Sequence, residues 1–247
     1  GPAGISAAFW CAELGLRVAI LERERELGGQ LLWTFGEITN YLGLVAENGR
    51  DLCEQFLEQI DNKQVTRFVK SDILGVDLDQ KVVTSASADR FSTKNIIIAT
   101  GVRRRGLGVP GEEEFAGSGI LVSGVGSRDE VTGKRVVIVG GGDAALENAM
   151  ILSDPAQGVT VIHRRDNFSA REDFVKAAKR QANVDFLFNS TVEAIIGNKD
   201  VEAVEITDLR NGECSSIEAD AVLIRIGVEP NTELFRAQIE LDERGYI

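Results

Sequence analysis

The chain has 247 residues, of which 43% are hydrophobic and 27% are charged, a composition typical of a globular protein with one large or two medium domains. Its 27 Lys and Arg against 39 Asp and Glu give a net charge of -12, which argues against a general phosphate-backbone contact with nucleic acid. No apolar run approaches the roughly 18 residues of a membrane span, and we expect a cytoplasmic protein.

The first half of the sequence predicts alternating helices and strands, followed over residues 102–133 by connecting structure rich in glycine and charge. The predicted elements are a helix at residues 6–16, a strand at 18–21, a helix at 51–61, and strands at 65–69, 73–77, 81–84 and 95–101.

A second unit with the same strand, glycine turn, helix and strand opening follows. Its predicted elements are a strand at residues 135–139, a turn at 140–145, a helix at 145–153, a strand at 159–162, a helix at 170–181, and strands at 185–188, 191–196, 201–207 and 221–226. Because the βαβ opening occurs twice, the sequence predicts an α/β protein with two dinucleotide sites or one duplicated fold.

The second glycine turn has the order that a dinucleotide site requires. Gly140 allows the tight turn, Gly142 lets the backbone approach a pyrophosphate, and Ala145 permits close packing of the helix. The alternative is a flexible loop, but the flanking strands and helix favour a nucleotide site.

The residues after the following strand indicate which nucleotide binds. An NAD site has an acidic residue there, whereas this chain has His163, Arg164 and Arg165, whose positive charge suits a 2′-phosphate. NADPH is therefore preferred over NADH. The alternative is a solvated basic turn on the surface.

The first glycine turn, Gly1-Pro2-Ala3-Gly4, matches the last four positions of the GxGxxG pattern. Glu22 ends the next strand, near the spacing at which a carboxylate accepts the hydroxyls of an adenosine ribose, so this site suits FAD or NAD. The alternative is that Glu22, with Glu24 and Glu26, belongs only to a solvated charge run.

Nearly the whole chain resembles the low-molecular-weight thioredoxin reductases and the related ferredoxin–NADP reductases. The motifs that carry the resemblance are Gly1-Pro2-Ala3-Gly4, Glu22, Gly28-Gly29-Gln30-Leu31, Asn40-Tyr41-Leu42-Gly43, Ala99-Thr100-Gly101, the turn at 140–145, His163-Arg164-Arg165-Asp166 and residues 227–231.

The resemblance implies two Rossmann-like domains, with an NADPH domain inserted in an FAD domain. The implied parts are an FAD domain at 1–104, an NADPH domain at 105–230 and a returning FAD segment at 231–247. The implied FAD residues are Gly1, Pro2, Ala3, Gly4, Glu22, Gly29, Gln30, Leu31, Asn40, Ala99, Thr100 and Gly101. The implied NADPH residues are Gly140, Gly141, Gly142, Asp143, Ala144, Ala145, His163, Arg164, Arg165, Arg171, Ile226 and Gly227. It further implies a strand before Gly1 and a flavin-binding segment after Ile247, so we expect the chain to be a fragment.

Three departures from the family pattern change what the resemblance implies. The positions of the family's CxxC hold Ser123 and Gly126, which cannot form a dithiol, so we identify no catalytic side chain. Ser169 replaces a phosphate-binding arginine, for which Arg171 is a substitute. Asp143 resembles the ferredoxin reductase branch, whereas the motif at 40–43 resembles the thioredoxin reductase branch.

The three cysteines, Cys11, Cys53 and Cys214, have neither a redox nor a metal-ligand spacing. We therefore expect an NADPH-dependent flavin oxidoreductase, acting as a homodimer, whose acceptor is a small molecule or a small redox protein. The alternatives are a ferredoxin or flavodoxin–NADP reductase and a non-catalytic or truncated nucleotide-binding relative.

Overall fold

The computed structural model describes residues 1–247 and divides into two compact units. Unit 1 comprises Gly1–Arg103 and Glu229–Ile247, and unit 2 comprises Arg104–Val228, so the sequence of unit 2 interrupts that of unit 1. Helices and parallel strands occur in both units, which confirms the predicted α/β class. None of the helices combines the length and the apolar character that a membrane crossing requires.

Unit 1 begins with a helix and a strand, as its sequence predicts. Its elements are α1 (Pro2–Glu13), β1 (Val18–Leu21), a 3₁₀ helix (Gly29–Trp33), α2 (Gly49–Asp61), β2 (Val65–Phe68), β3 (Ile73–Asp77), β4 (Val82–Ser85) and β5 (Arg90–Ser92). Strands β1 and β2 pair in parallel, and β3, β4 and β5 form an antiparallel sheet. A small core of Ile5, Leu27, Cys53 and Ile60 packs between α1 and α2.

Local sequence explains where the two helices of unit 1 start. Pro2 stands at the first helical position of α1, where its fixed φ fits the helix and its missing N–H costs nothing. The side chain of Asn48 caps α2 by accepting hydrogen bonds from the backbone N–H groups of Arg50 and Asp51. The start of α2 therefore lies at a position set by one capping residue.

The prediction of a strand at residues 95–101 is wrong. None of the strand pairs in unit 1 includes this segment, and Ile97 is 60% exposed. A strand needs a neighbour for its backbone hydrogen bonds, and an apolar run alone does not provide one.

Unit 2 is a three-layer structure. After β6 (Val102–Arg104), where the chain leaves unit 1, its elements are β7 (Ile120–Leu121), β8 (Arg135–Gly140), α3 (Asp143–Ser153), β9 (Gly158–His163), α4 (Glu172–Ala178), β10 (Val184–Phe188), β11 (Ser190–Gly197), β12 (Val201–Asp208), β13 (Cys214–Glu218) and β14 (Ala221–Arg225). The parallel sheet has the order β10-β9-β8-β14-β7, and β11, β12 and β13 form an antiparallel sheet.

The side chains of β8 point alternately to the two faces of the parallel sheet and so connect the layers of unit 2. Val136 and Ile138 pack in the cluster that contains the side chains of α3, whereas Val137 and Val139 pack in the cluster that contains β11 and β12. All four are nearly inaccessible, as the period of two in a strand covered on both faces requires. The carboxyl end of this buried strand leads directly into the second glycine turn.

The chain returns to unit 1 through β15 (Val228–Pro230), followed by a 3₁₀ helix (Glu233–Phe235). The returning segment is tied to β3 by Gln238. Its side-chain oxygen accepts the backbone N–H of Leu78 at 2.7 Å, and its side-chain nitrogen donates to the carbonyl of Val76 at 2.7 Å. Unit 1 therefore consists of two parts that are distant in sequence.

Candidate functional site

The second glycine turn is packed so closely that side chains are excluded at two of its positions. Gly140 has φ of 150°, and a Cβ there would lie 2.2 Å from the carbonyl oxygen of Arg225. A Cβ on Gly141 would lie 2.3 Å from the ring of His163. Gly142 is less crowded, since its Cβ would be 3.9 Å from Ser169. The turn thus brings bare backbone to the start of α3.

The start of α3 has N–H groups that no side chain caps, because its N-cap residue is Gly142. Such a helix start favours an anionic group. Ala145 is fully buried against the turn, whereas Ala144 is exposed. The carboxylate of Asp143 is engaged by Arg171, accepting its backbone N–H at 2.7 Å and its Nε at 2.8 Å. These hydrogen bonds, the backbone one first, lower the pKa of Asp143.

The loop between β9 and α4 lies over the glycine turn. The carbonyl of Gly141 accepts hydrogen bonds from the backbone N–H and the hydroxyl of Ser169 at 2.8 and 3.1 Å. His163 is buried beneath this loop, with its Nε2 3.1 Å from the carbonyl oxygen of Asn167 and its ring stacked on Phe168. Burial lowers the pKa of His163, so the residue supports the loop and does not add to its charge.

Arg164 and Arg165 follow β9 directly and are exposed. Neither side chain is paired with a carboxylate, although the chain carries a net charge of -12. Arg171 differs from them, because its guanidinium is bound to Asp143 and lies over the ring of Phe174 at 4.5 Å. The unpaired cations Arg164 and Arg165 therefore follow β9. This strand is the neighbour of β8, which leads into the glycine turn.

Strands β8 and β14 are neighbours although their sequences are far apart, which makes their carboxyl ends the switch point of the parallel sheet. Ligands of open α/β sheets bind in the crevice at such a point. Gly140 and Arg225 are partners in the register there. Ile226 is partly buried against the core, and Gly227 has φ of 102°.

The segment at 123–126, where relatives of the resembled family have a CxxC, forms a tight turn after β7. The hydroxyl of Ser123 accepts the backbone N–H of Gly126 at 3.2 Å. The N–H of Gly124 donates to the side-chain oxygen of Asn148 at 2.9 Å, and the amide nitrogen of Asn148 donates to the carbonyl of Ala144. Asn148 thus attaches this turn to α3.

The first glycine turn repeats several of these features in unit 1. Gly1 is the N-cap of α1 and provides no side-chain cap. A Cβ on Gly29 would lie 2.7 Å from the Cα of Gly1, so two backbone segments meet here. Gly4 faces Ala99, whose Cβ would be 3.4 Å away from a Cβ on the glycine.

Glu22 follows β1 and lies beside this turn. One carboxylate oxygen is 3.7 Å from the nitrogen of Gly1, and the other accepts the backbone N–H of Glu24 at 3.1 Å. Its side chain is only 17% exposed, whereas that of Glu24 is 62% exposed. The structure therefore separates Glu22 from the solvated charge run around it.

A cleft of about 2380 Å³ opens in unit 1 beside the first glycine turn. The expected FAD residues that line it are Gly1, Pro2, Ala3, Gly4, Glu22, Gly29, Gln30, Ala99, Thr100 and Gly101. Gln30 is fixed there by its side-chain N–H, which donates to the carbonyl of Val102 at 2.9 Å. Two expected residues lie elsewhere: Leu31 packs against the small core, and Asn40 is exposed in the loop closed by the bridge between Ile38 and Ala46.

Sequence patterns did not indicate two residues of unit 2 that have unusual surroundings, Arg104 and Arg225. Both donate to the carbonyl of Val122. A charged residue at the carboxyl end of the otherwise apolar β14 was a signal for Arg225. Nothing local indicated that Arg104, distant in sequence, lies beside it.

Comparisons with known proteins match the chain along its whole length. Residues 1–247 match the family described as pyridine nucleotide-disulphide oxidoreductase. The chain is 35% identical to a thioredoxin reductase of Peptoclostridium acidaminophilum, covering 100% of this chain and 80% of that protein. It is 36% identical to a thioredoxin reductase of Listeria innocua, covering 100% of this chain and 77% of that protein. The predicted family resemblance is confirmed.

Solved structures show the same fold. The Lactococcus lactis thioredoxin reductase superposes with a TM-score of 0.86 at 31% identity, over 100% of this chain and 81% of that one. The T. acidophilum thioredoxin reductase superposes with a TM-score of 0.81 at 30% identity, over 99% of this chain and 80% of that one.

Proposed function

The chain belongs to the pyridine nucleotide-disulphide oxidoreductase family, and on that premise we propose that it transfers a hydride from NADPH to FAD and passes the electrons to an acceptor other than an internal disulfide. The observation that carries this proposal is a contrast in charge. Strand β1 leads to the carboxylate of Glu22, whereas β9 leads to the guanidinium groups of Arg164 and Arg165. A carboxylate suits the bare ribose of FAD, and a pair of cations suits the 2′-phosphate of NADPH.

The residues of unit 1 fit FAD. The uncapped start of α1 offers N–H groups to a pyrophosphate. Gly29 has no side chain and so lets the backbone of Gly1, at this helix start, lie close beside it. The cleft of about 2380 Å³ is large enough for an extended dinucleotide, since drug-sized ligands occupy roughly 300–1,000 Å³. Bound FAD supplies two-electron redox chemistry, and the protein orients it, with Glu22 accepting hydrogen bonds from the ribose.

The residues of unit 2 fit NADPH. Gly142 presents the uncapped start of α3 to the pyrophosphate, and Arg164 and Arg165 bind the 2′-phosphate. Asp143 is held by Arg171, and this pairing reduces its repulsion of the nucleotide. Ile226 and Gly227, which follow β14 at the switch point, would hold the pyridine half.

The acceptor is external because no pair of cysteines is available. Cys11, Cys53 and Cys214 are all free, and burial raises the pKa of the Cys53 thiol, which makes it a poor nucleophile. The turn with Ser123 and Gly126 has no dithiol state. The candidate acceptors are an iron–sulfur or flavodoxin-type protein, a small disulfide, a quinone or molecular oxygen.

An anaerobic titration tests the proposal. The purified chain is incubated with FAD, freed of unbound flavin and titrated with NADPH while the visible spectrum and the number of free thiols are recorded. We expect the flavin absorbance to bleach, NADPH to act at lower concentration than NADH, and the thiol number to stay constant. A retained flavin that NADPH does not reduce would contradict the proposal. New thiols on reduction would instead identify a disulfide as the acceptor.

A panel of acceptors then separates the alternatives. Steady NADPH oxidation with a ferredoxin or flavodoxin, and not with small acceptors, identifies a ferredoxin–NADP reductase-like enzyme. Affinity for NADPH without turnover on any acceptor identifies a nucleotide-binding protein that is not an enzyme. The homodimer expected from the family resemblance stays a prediction, which sedimentation of the same preparation checks.

A further inference from the structure

Two arginines of unit 2 converge on one carbonyl oxygen. Arg225 donates from Nη2 to the carbonyl of Val122 at 2.9 Å and from Nη1 to the carbonyl of Ile224 at 2.8 Å. Arg104 donates from Nη1 to the same oxygen of Val122. Each guanidinium has five N–H donors, so both retain donors that these carbonyls do not use.

This pair of cations has no anionic partner in the chain. Neither side chain forms an ion pair, although Asp and Glu outnumber Lys and Arg by 39 to 27. Burial, and in second place the charge of Arg104, lower the pKa of Arg225 to about 10. The loss of solvent also lowers the pKa of Arg104. Arg225, which burial deprives of solvent, thus also faces the charge of Arg104, and a bound anion would relieve both costs.

The pair lies where a ligand can reach it. Arg225 ends β14, at the switch point beside Gly140. Val122 and Val125, in the segment that follows β7, are 48% and 40% exposed. Because both cations bind the carbonyl of Val122, an exposed apolar segment begins at the residue that they contact, which matches a ligand that has both an anionic group and an apolar part.

We propose that Arg104 and Arg225 bind the carboxylate or phosphate group of a small organic molecule whose apolar part packs against Val122 and Val125. The planar forks of two guanidinium groups match the oxygens of such a group. The site is distinct from the cations expected to bind the 2′-phosphate, because Arg164 follows β9 on one side of β8, whereas Arg225 ends β14 on the other side. The interpretation of this ligand as a second substrate, bound beside the pyridine half of NADPH, rests on the proposed function. The binding itself does not.

Isothermal titration of the nucleotide-free full chain tests the site, at constant ionic strength in chloride. The probes are benzoate and phenyl phosphate, with acetate and inorganic phosphate as matched probes that lack the ring. We expect saturable binding of benzoate and phenyl phosphate and weaker binding of acetate and inorganic phosphate. Comparison of the two carboxylates with the two phosphates distinguishes a carboxylate site from a phosphate site. Arg225→Gln should weaken binding about tenfold or more, as loss of a charged hydrogen bond predicts.

Matched variants make the result specific. Arg104→Gln should also weaken binding, and because its side chain is exposed it serves if Arg225→Gln does not fold. Arg180→Gln removes one exposed cation elsewhere in unit 2 and should change the affinity by less than about twofold. Equal losses in the Arg180 and Arg225 variants, a loss of binding in Arg164→Gln, or equal affinity for benzoate and acetate would overturn the proposal. Those outcomes leave the reduction of FAD by NADPH untouched, so the two proposals fail separately.

Discussion

The imidazole of His163 lies against the backbone of Gly141, so close that a Cβ on the glycine would stand 2.3 Å from Cε1 and Nδ1 of the ring. The ring cannot move aside easily, because it is buried, stacked on Phe168 and bound to the carbonyl of Asn167. The single histidine of the chain therefore fixes the shape of the second glycine turn.

Gly141→Ala should destabilise unit 2 by about 2–3 kcal/mol, as overpacking of a filled site does, and weaken NADPH binding with it. Gly142→Ala is the matched variant, since its Cβ would be in ordinary contact at 3.9 Å and its φ of -95° suits alanine. The Gly142→Ala substitution should lower the free energy of unfolding by about 1 kcal/mol or less. It should still weaken NADPH binding, because the methyl group would face the pyrophosphate. Urea unfolding and NADPH titration measure the two effects. Equal destabilisation by both variants would contradict this assignment.

Arg164→Gln and Arg165→Gln should each weaken NADPH binding about tenfold while leaving NADH nearly unchanged, because only NADPH carries the 2′-phosphate. Dissociation constants for both nucleotides, measured by fluorescence titration, check this prediction. Arg180→Gln is the control for the loss of one positive charge. If the substitutions weaken the binding of NADH and NADPH equally, the arginines stabilise the loop and do not bind the 2′-phosphate.

Glu22→Gln should lower the flavin retained after incubation with FAD, with an affinity about tenfold weaker, because a neutral amide replaces a charged acceptor at the ribose. The ratio of flavin to protein absorbance gives the measurement. Glu24→Gln is the control, since this neighbour is 62% exposed. Similar retention in the two variants would assign Glu22 to the solvated charge run.

Asp220→Asn should destabilise unit 2 at neutral pH by about 1 kcal/mol, since solvent screens this partly exposed pair. The carboxylate of Asp220 accepts hydrogen bonds from Nε and the backbone N–H of Arg135, and the Arg135 side chain lowers the pKa of Asp220 from 3.8 to about 2. Its contribution is present above pH 3.8 and is lost as the pH falls toward 2. Urea unfolding of both proteins should therefore differ at pH 7 and converge in acid. A constant difference across this range would exclude ionisation as the cause.

The double variant Ser123→Cys with Gly126→Cys should form an internal disulfide under mild oxidation. The reason is geometric: the Ser123 hydroxyl already lies 3.2 Å from the nitrogen of Gly126, within one tight turn. Thiol counts before and after mild oxidation measure it, with Ser123→Cys alone as the control. Two cysteines that stay reduced under mild oxidation would show that the turn no longer accommodates the disulfide geometry.

Strong local patterns allowed much of the fold to be predicted. The strand, turn, helix and strand from β8 to β9 match the prediction to within two residues, because apolar alternation and glycine act over a few neighbours. Strand β13 was not predicted, since its exposed residues, such as Ser215 and Ser216, show no alternation and pair only because β12 lies beside them. Residues 95–101 show the reverse error, where an apolar run has no partner strand.

The candidate site was predictable where chemistry is local in sequence. The glycines at 140–142 and Arg164 follow strands directly, and a strand end is visible in the pattern. The attachment of the 123–126 turn by Asn148, and the meeting of Arg104 with Arg225 at Val122, depend on residues 18 and more positions apart. Such meetings are created by the sheet order, which no single stretch of sequence specifies.

The anchoring of Gln238 on Val76 and Leu78 has a consequence for biosynthesis. A ribosome adds roughly 5–20 residues per second, so the first part of unit 1, complete at Arg103, waits on the order of ten seconds while unit 2 is made and before the last part of unit 1 becomes available. During that interval the nascent α1 and α2 wait without the chain that completes their unit. Chaperone dependence during translation should therefore concentrate on the first hundred residues, even though they are made first.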